Sequence, residues 1–511
     1  MISIINSFGL NGIDGYIVTV EVDVGNGMPM FDIVGLPDVA VKESRQRVKS
    51  ALKNTQINLP AKKYVVNLAP ADMKKEGAVY DVPVAIGVIS SLGLVNFGDL
   101  SESMFLGELS LTGDIREVKG VLPAAICAKN NGIKNIFVPF KNAEEAAIVD
   151  GINVFPCECI KDIIMHFTKE NVIKPIKVDV KKYFECIQFQ DVDFSDVKGQ
   201  ENVKRALEIA AAGGHNCLLI GSPGSGKTML AKRMPTILPD LTFDEALEIT
   251  KIHSVAGNLL NSVPIVTKRP FRSPHHTIST VALSGGGSTP KPGEVSLSHH
   301  GVLFLDEFPE FKKEAVEVLR QPLEDRTVTV SRVQSTMTYP CNFMLIAAMN
   351  PCRCGYYGDP NHECTCTEHQ ISQYLSKISG PVLDRIDLHI EINPVKYDDL
   401  GTSSCTEKSA DIKVRVNKAR AIQQKRYAGE GLYSNSQMST KHIEKYCKLG
   451  NQENLLLKTA FEKLGLSARA YDRILKVART IADLDESENI TTKHISEAIQ
   501  YRNLDRKYWN R

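Results

Sequence analysis

One stretch of eight residues constrains this chain more than any other. Residues 221–228 read GSPGSGKT, with the apolar run CLLI before them and MLAKRM after them. Gly, four residues, Gly, Lys and then Ser or Thr, set between a strand and a helix, is the pattern of a phosphate-binding loop. Its glycines let backbone N–H groups surround a phosphate, and the following helix N-terminus adds a positive partial charge. The pattern predicts an α/β fold that binds a nucleotide; a plain glycine turn is the alternative.

The end of this loop supplies two side chains with defined roles. Lys227 is expected to contact the β- and γ-phosphates of ATP, and the Thr228 hydroxyl is expected to ligate Mg²⁺. The residues predicted to surround the phosphates are Gly221, Ser222, Pro223, Gly224, Ser225, Gly226, Lys227 and Thr228.

Two further apolar runs end in polar residues. In GVLFLDEF (residues 301–308), the run VLFL predicts a strand buried on both faces, as in a parallel sheet. An acid at the carboxyl end of such a strand lies at the ligand crevice, so Asp306 is predicted to position Mg²⁺ and Glu307 to orient the attacking water. NFMLIAAMNP (342–351) predicts another buried strand, and Asn350 at its end is expected to hold that water. A solvated acidic loop and a turn before proline are the alternatives.

Composition excludes several classes of protein. The chain has 511 residues, enough for roughly two to four domains, and its net charge of +1 excludes a uniformly basic nucleic-acid coat while leaving local basic stripes open. No apolar run reaches the ~20 residues that cross a bilayer, and the N-terminus lacks the features of a secretion signal. Twelve cysteines are too sparse for a disulfide scaffold. We expect a cytoplasmic protein with reduced thiols and no membrane partner.

Hydrophobic patterning divides the chain into an α/β unit, a linker, a second α/β unit, a basic helical connector and a helical C-terminal part. The predicted boundaries are residues 1–165, 166–190, 191–395, 396–434 and 435–511. Within the connector, IKVRVNKARAIQQKRY (412–427) predicts a helix with a cationic face. A solvated surface and a nucleic-acid contact are both open for that face.

The order of these features resembles that of the AAA+ ATPases, in which Asn350 falls on the first sensor position. GPVLDRIDLHI (380–390) resembles the segment that carries the arginine finger in the Mg-chelatase and MCM branch, and LGLSARAYDRILKVARTIADL (464–484) resembles its second-sensor helix. The resemblance implies that Arg385 reaches the γ-phosphate held by a neighbouring subunit and that Arg469 lies near the phosphates. It also implies a C-terminal helical lid and a ring or filament of subunits. Surface salt bridges are the alternative for both arginines.

The resemblance continues through the segments around the acidic strand. RPFRSPHHTIS (269–279), ALSGGGSTPKPGEVSLSHHGVLFLDE (282–307) and LRQPLEDRTVTVSRVQSTMTYP (319–340) are similar to the Mg-chelatase-like AAA+ family of YifB and ComM. These segments contain two histidine pairs, His275–His276 and His299–His300. Because adjacent side chains point in opposed directions in a strand, we favour structural or nucleotide-proximal roles over a metal site.

The segment RTVTVSRVQSTMTYP (326–340) alternates on both sides of RVQS, which predicts a β-hairpin. The resemblance to MCM helicases implies a hairpin that projects into the central channel of a ring and contacts the DNA backbone. Arg332 near the tip and Arg326 at the base would then contact phosphates and position DNA without reading its sequence. Solubilising charges are the alternative.

Four cysteines crowd into PCRCGYYGDPNHECTC (351–366) as two C-x-C pairs. Four thiolates in a short loop with Gly and Pro suit tetrahedral coordination of a structural Zn²⁺ ion, and related ComM proteins resemble this segment. The candidate ligands are Cys352, Cys354, Cys364 and Cys366, with His362 as an alternative to one of them. Four reduced thiols without a metal are the other explanation.

The N-terminal part resembles the proteolytic domain of Lon in two segments. These are LGELSLTGDIREVKGVLPAAICAKNNGIKNIFVP (106–139) and APADMKKEGAVYDVPVAIG (69–87), the second matching the segment of Lon's serine nucleophile. A serine–lysine protease needs both groups within hydrogen-bond reach. Residues 73–87 contain no serine, and the position of Lon's lysine falls within LPA (122–124). We expect a Lon-protease-like α/β domain without the protease chemistry, serving as an assembly or DNA-engaging platform.

The family resemblance implies an ATP-hydrolysing ring motor that acts on single-stranded or branched DNA. The expected motor is similar to ComM proteins, which act as branch-migration helicases when incoming DNA is integrated during natural transformation. We expect a homo-hexamer that uses ATP and Mg²⁺ and works with recombination proteins. A Mg-chelatase-type ATPase subunit is the alternative, against which stand the Lon-like domain and the lack of an integrin-like metal-binding domain. An ATP-dependent protease is disfavoured by the missing serine and lysine.

Overall fold

The computed structural model describes residues 2–185, 192–259, 263–287, 290–332, 335–394, 407–464 and 467–509, which divide into two compact units. The first unit consists of Met1–Ile187 and Ala246–Thr267, and the second of Gln188–Glu245 and Lys268–Arg511. The sequence-based division keeps residues 246–267 with the ATPase core, whereas the structure groups them with the N-terminal residues. In this segment Ser254 donates a hydrogen bond to the buried carboxylate of Glu145, which ties it to the first unit.

The elements of the first unit alternate between strands and helices. The strands are β1 (Ser3–Asn11), β2 (Asp14–Gly25), β3 (Met30–Val34), β4 (Lys63–Ala69), β5 (Ser103–Phe105), β6 (Glu108–Leu109), β7 (Ile115–Arg116), β8 (Asn135–Pro139) and β9 (Asn153–Cys157). The helices are α1 (Val39–Asn54), α2 (Asp81–Ser91), α3 (Val121–Asn130), α4 (Ala143–Ala146), α5 (Ile160–Thr168) and α6 (Val180–Glu185).

Seven strands of the first unit form a mixed sheet in the order β3-β4-β2-β1-β5-β8-β9. Strand β2 pairs antiparallel with β1 and β4, whereas β5, β8 and β9 run parallel to their neighbours. The alternation of buried valines with partly exposed residues along β2 explains its place in a half-buried sheet.

The second unit contains the phosphate-loop sequence. Its strands are β10 (Cys217–Gly221), β11 (Phe271–Arg272), β12 (Gly285–Gly286), β13 (Lys291–Pro292), β14 (Val302–Leu305), β15 (Thr327–Arg332), β16 (Ser335–Pro340), β17 (Met344–Met349) and β18 (Leu388–Ile392). Its helices are α7 (Glu201–Gly213), α8 (Lys227–Ile237), α9 (Phe243–Ala256, continuing into the segment of the first unit), α10 (Thr280–Ser284), α11 (Glu294–Leu297), α12 (Lys313–Val318), α13 (Arg320–Asp325), α14 (Glu368–Leu375), α15 (Gly380–Leu383), α16 (Ser409–Arg426), α17 (Thr440–Tyr446), α18 (Asn451–Leu464), α19 (Ala468–Leu484), α20 (Thr492–Gln500) and α21 (Leu504–Trp509).

The main sheet of the second unit is parallel and has the order β11-β14-β17-β10-β18. Every residue of β10, β14 and β17 is buried, which explains their unbroken apolar sequences. Because the strands are parallel, their carboxyl ends lie at one edge of the sheet. Residues 221–228, Asp306 and Asn350 therefore leave the sheet at the same edge, where α/β folds bind ligands.

Helices follow the sheet toward the C-terminus. Helix α19 is amphipathic, and its apolar side, with Ile474, Leu475, Ala478 and Ile481 buried, packs with α7, α16 and α20. The fold class predicted from sequence, an α/β core with a C-terminal helical part, is confirmed. Within the described ranges, we find no helix that combines the length and apolar character needed to cross a bilayer.

The basic segment predicted at 412–427 forms most of helix α16, and its cations are mostly paired inside the second unit. Lys413 pairs with Asp240, Arg415 with Glu208 and Glu407, Lys418 with Glu486, and Arg426 with Asp483, while Arg420 donates to the carbonyl of Tyr433. This pairing favours a structural role for the helix over contact with nucleic acid.

Candidate active site

The phosphate-loop residues connect β10 to α8, as the sequence predicts. Gly224 and Gly226 have φ values of +76° and +90°, in the left-handed region that glycine adopts without a steric penalty. Gly226 is also the N-cap of α8. The loop therefore closes around the N-terminal end of this helix, whose positive partial charge favours a phosphate.

Lys227 is held at the centre of the loop and is only 9% exposed. Its ammonium donates hydrogen bonds to the carbonyls of Gly221 at 2.8 Å and Ser222 at 2.9 Å, and to Oδ1 of Asn350 at 3.1 Å. Burial lowers the pKa of Lys227, and the nearby Asp306 carboxylate opposes that shift. A triphosphate offers the same ammonium stronger, anionic acceptors. The structure thus brings the predicted lysine and the predicted first-sensor asparagine into direct contact.

Thr228 and Asp306 meet beside the lysine. The Thr228 hydroxyl donates to Oδ2 of Asp306 at 2.7 Å, and Oδ1 of Asp306 accepts the N–H of Glu307 at 3.0 Å. A hydroxyl and a carboxylate are the hard oxygen ligands that Mg²⁺ prefers, and Mg²⁺ is commonly held by one or two such groups together with substrate phosphates. The donor set therefore fits the predicted magnesium site.

Glu307 follows Asp306 with a φ of +51°, a conformation that non-glycine residues rarely adopt and that often marks a functional site. Its side chain is 61% exposed, and its Oε2 lies 3.2 Å from Nδ1 of His276. The sequence did not predict this pair, since His276 precedes Glu307 by many residues in an irregular segment. The contact favours a nucleotide-proximal role for His276 over a purely structural one.

The second histidine pair is buried in the second unit. Nδ1 of His299 accepts the N–H of Asn342 at 3.0 Å, as expected of a histidine that supports the fold. The expectation that adjacent histidines point in opposed directions is wrong, because neither pair lies in a strand. The ring centroids are 4.1 Å apart for His275 and His276 and 4.0 Å apart for His299 and His300.

Arg385 lies in the connection between α15 and β18 and is 8% exposed. Its guanidinium forms an ion pair with Glu324, while its Nε is buried without a hydrogen-bond partner among the described residues. Arg473, which the sequence did not single out, donates to the carbonyl of Arg385 at 3.1 Å and forms an ion pair with Asp387. The backbone of Arg385 is therefore fixed, and its guanidinium also donates to the carbonyl of Pro381 at 2.6 Å.

Arg469 is exposed and lines the same open cavity as Arg385, a cavity of about 410 Å³. Cations outnumber acids along its wall: Arg326, Arg385, Arg469, Arg473 and Lys476 against Glu324, Asp387 and Asp472. No residue of 221–228 lines this cavity. The structure thus brings the two predicted arginines to each other and places them on a surface distinct from the phosphate loop of the same chain.

The predicted hairpin is confirmed: β15 and β16 pair antiparallel from Thr327 opposite Pro340 to Arg332 opposite Ser335. The side chain of Arg332 lies outside the described residues. Arg326 donates to the carbonyl of Ser436 at 3.2 Å, and burial lowers its pKa to about 10 although Asp387 opposes the shift. Arg326 therefore belongs to the cationic cavity in this structure, and a DNA contact at Arg326 stays a prediction.

The loop of residues 351–366 leaves β17 immediately after Asn350. Its four cysteine sulfurs all lie within 4.8 Å of one another. The ring of His362 packs on Tyr356 with centroids 4.8 Å apart and is not part of the sulfur cluster.

Three stretches of the chain match protein families. Residues 193–400 match magnesium chelatase, subunit ChlI, and residues 406–502 match the C-terminal part of that subunit. Residues 20–142 match the family described as subunit ChlI of Mg-chelatase. The likeness of the N-terminal part to Lon stays a prediction.

Full-length relatives define the family. The chain is 42% identical over 509 residues to the competence protein ComM of Haemophilus influenzae, covering 99% of this chain and 98% of that protein. It is also 42% identical over 511 residues to YifB of Escherichia coli, with the same coverage. The magnesium-chelatase subunit ChlI of Cyanidium caldarium is 24% identical over 241 residues, which are 42% of this chain and 62% of that protein. On the strength of the full-length matches, the chain belongs to the Mg-chelatase-like AAA+ ATPase family of YifB and ComM.

Proposed function

We propose that this chain hydrolyses ATP between adjacent subunits of a homo-hexameric ring and uses the energy to move DNA. The observation that carries the proposal is the division of the predicted site into two surfaces of one chain. Lys227, Thr228 and Asp306 meet at the sheet edge, whereas Arg385 and Arg469 share a separate cationic cavity. A chain with this arrangement completes its site only when a neighbour supplies the arginines.

The sheet edge supplies the groups that bind ATP and activate water. Lys227 holds the β- and γ-phosphates, and Thr228 and Asp306 hold Mg²⁺, which when bound neutralises charge that develops on the phosphates. Glu307 orients the attacking water, and Asn350 fixes its position from the neighbouring strand. His276, 3.2 Å from the Glu307 carboxylate, keeps that side chain at the site.

The cationic cavity supplies charge to the neighbour's triphosphate. Its wall carries five cations and three acids, an excess of positive charge that attracts an anionic triphosphate. Arg385 acts as the arginine finger and Arg469 as the second sensor, so both stabilise charge that builds up in the transition state. The ion pair with Glu324 holds the Arg385 guanidinium until the phosphate replaces it.

DNA is the polymer that we propose for the ring channel. Arg332 is the last residue of β15, at the tip end of its hairpin with β16, and a contact between arginine and phosphate positions DNA irrespective of sequence. The name of the relative from Haemophilus influenzae, a competence protein, supports a role with DNA. The activity is that of a branch-migration helicase that works with recombination proteins in the cytoplasm.

We assign a role to each of the domains predicted from the sequence. Residues 191–245 and 268–395 form the motor core, 396–434 the connector and 435–511 the helical lid. Residues 1–165, followed by the linker, form a platform for assembly or DNA engagement.

A Mg-chelatase-type subunit is the second candidate, because residues 193–400 match the ChlI family. ATP turnover measured alone, with single-stranded DNA and with a four-way junction separates the two. The motor predicts that DNA binds and raises turnover, whereas a chelatase subunit is indifferent to DNA.

Junction unwinding by the wild type beside Glu307→Gln tests the motor itself. The variant should bind ATP but lose turnover roughly 100-fold or more, since it lacks the carboxylate that polarises water. Glu310→Gln is the matched control, because Glu310 pairs with Lys377 on the surface and should keep full activity. Unwinding by Glu307→Gln at the wild-type rate, or no DNA binding by the wild type, would contradict the proposal.

A further inference from the structure

The four cysteines of residues 351–366 are arranged around a common point. Sγ of Cys352 lies 3.3 Å from Sγ of Cys354 and 3.7 Å from Sγ of Cys364, and the last two sulfurs are 3.5 Å apart. Cys366 completes the group, in which all ligand atoms lie within 4.8 Å of one another. A tetrahedral site with metal–sulfur bonds of ~2.3 Å has sulfur–sulfur edges of about 3.8 Å. The observed separations therefore fit four thiolates around one ion.

Backbone N–H groups support the same sulfurs. The N–H of Tyr357 donates to Sγ of Cys352 at 3.3 Å, and the N–H of Cys354 donates to Sγ of Cys366 at 3.4 Å. Such donors stabilise thiolates over thiols and fix the ligands of a metal site in place. Cys352 is fully buried and the other three are half-buried, and four cysteine ligands leave no coordination position open to a substrate.

The type and geometry of the four sulfur ligands indicate which metal they bind. Four sulfur ligands in tetrahedral geometry indicate zinc or iron with sulfur. A multi-iron cluster spreads its thiolates over separate metal atoms, which requires wider separations than those seen here. A closed set of four cysteines is the arrangement of structural zinc sites.

The cysteine loop packs directly on the phosphate loop. Gly355, between the two C-x-C pairs, has a φ of +93°, and a Cβ added there would lie 2.6 Å from the ring atoms Cδ and Cγ of Pro223. Pro223 is one of the residues predicted to surround the phosphates. The loop also begins one residue after Asn350, whose side chain contacts Lys227. A loop of this length without helices or strands needs another source of order.

We propose that Cys352, Cys354, Cys364 and Cys366 bind one structural zinc ion, and that this ion fastens residues 351–366 against the phosphate loop. The fastening rests on the ATP site proposed above, whereas the zinc site stands on the sulfur geometry alone. Loss of the ion releases the support behind Pro223 and lowers the affinity for ATP.

Zinc content tests the site independently of any activity. Full-length protein purified without added metal should contain about one zinc per chain by mass spectrometry of the metal. The double variant Cys364→Ser, Cys366→Ser should lose it. Cys159→Ser, which changes a half-buried free cysteine in the first unit, is the matched control and should keep it.

A second measurement uses the wild type alone, so that misfolding of a variant cannot decide the result. Zinc is stripped with an organomercurial and a chelator, the thiols are restored, and zinc or cobalt(II) is added back. Cobalt should give the visible absorption of a tetrahedral tetrathiolate site. Binding of a fluorescent ATP analogue should weaken at least threefold in the stripped protein and recover with zinc.

The possible results test the zinc site and its effect on the phosphate loop separately. Folded wild type that contains iron, or that takes up no zinc, overturns the site. Stoichiometric zinc with unchanged ATP affinity after stripping overturns the fastening. Stoichiometric zinc in a protein that binds no nucleotide at all supports the zinc site and overturns both the fastening and the ATP site on which it rests.

Discussion

The buried carboxylate of Asp387 holds together the wall of the cationic cavity. Oδ2 of Asp387 accepts the N–H of Asn216 at 3.1 Å and lies 3.3 Å from Nδ1 of His215, while Oδ1 forms an ion pair with Arg473. Burial by itself raises the pKa of Asp387, but Arg473 and His215 outweigh it and hold that pKa well below its usual range. Arg473 in turn donates to the carbonyl of Arg385. Asp387→Asn removes the charge and keeps the shape.

The magnitude follows from the partners that remain. Asparagine keeps one carbonyl for the backbone N–H, but its NH₂ group faces donors, and the Arg473 guanidinium loses its carboxylate. Removing one partner of a buried ion pair costs roughly 3–5 kcal/mol, and we take about 3 kcal/mol because 20% of the Arg473 side chain is exposed. A unit of about 300 residues unfolds with an entropy of about 0.6 kcal/mol/K. The unfolding temperature of the second unit should therefore fall by about 5 °C.

Thermal unfolding by calorimetry and ATP turnover by phosphate release are the two assays. Asp472→Asn, a neutralisation on the wall of the same cavity, is the control and should shift the transition by less than about 1 °C. Because the folded pKa of Asp387 is depressed, its contribution is complete above the unfolded pKa of about 4 and is lost as pH falls below it. The unfolding temperatures of the wild type and of Asp387→Asn should thus converge in acid. Turnover should drop roughly tenfold at unchanged ATP affinity, since Arg385 loses its backbone support. Equal transitions for Asp387→Asn and Asp472→Asn at pH 7 would refute the reasoning.

Two further variants test the cysteine loop of residues 351–366 and the hairpin of β15 and β16. Gly355→Ala should weaken binding of a fluorescent ATP analogue several-fold, because the new Cβ lies 2.6 Å from Pro223. Gly358→Ala, whose Cβ meets nothing closer than 3.7 Å, controls for backbone strain, and equal affinities for the two would argue against the packing. Arg332→Ala should lower DNA affinity and reduce the slope of log K against log salt by about 1, with DNA-free turnover unchanged. A slope like that of the wild type, or of the paired-surface control Lys418→Ala, would count against DNA contact at the hairpin.

The arrangement of the candidate nucleotide site was predictable because short patterns encode it. Residues 221–228 contain the glycines that the loop conformation requires. The unbroken apolar runs before Asp306 and Asn350 predict neighbouring parallel strands. Once three strands are parallel and buried, their carboxyl ends must lie at one edge. The hydrogen bonds of Thr228 with Asp306 at 2.7 Å and of Lys227 with Asn350 at 3.1 Å join residues at that edge.

The contacts that the sequence did not predict join segments that no short pattern relates. Arg473 of α19 forms an ion pair with Asp387, which lies immediately before β18, whereas periodicity predicts only that the helix has a buried face. The pair of His276 and Glu307 depends on an irregular segment with a left-handed residue, which alternation rules do not describe. The grouping of residues 246–267 with the first unit depends likewise on long-range contacts.

Mixed rings test the central claim, that ATP is hydrolysed between subunits, most directly. Arg385→Ala and Glu307→Gln each should retain roughly a hundredth of wild-type turnover or less. In hexamers assembled at random from equal amounts, an intact Glu307 meets a neighbour's intact Arg385 at about one interface in four, so the mixture should recover about a quarter of wild-type turnover. A co-assembled mixture no more active than its components would contradict hydrolysis between subunits.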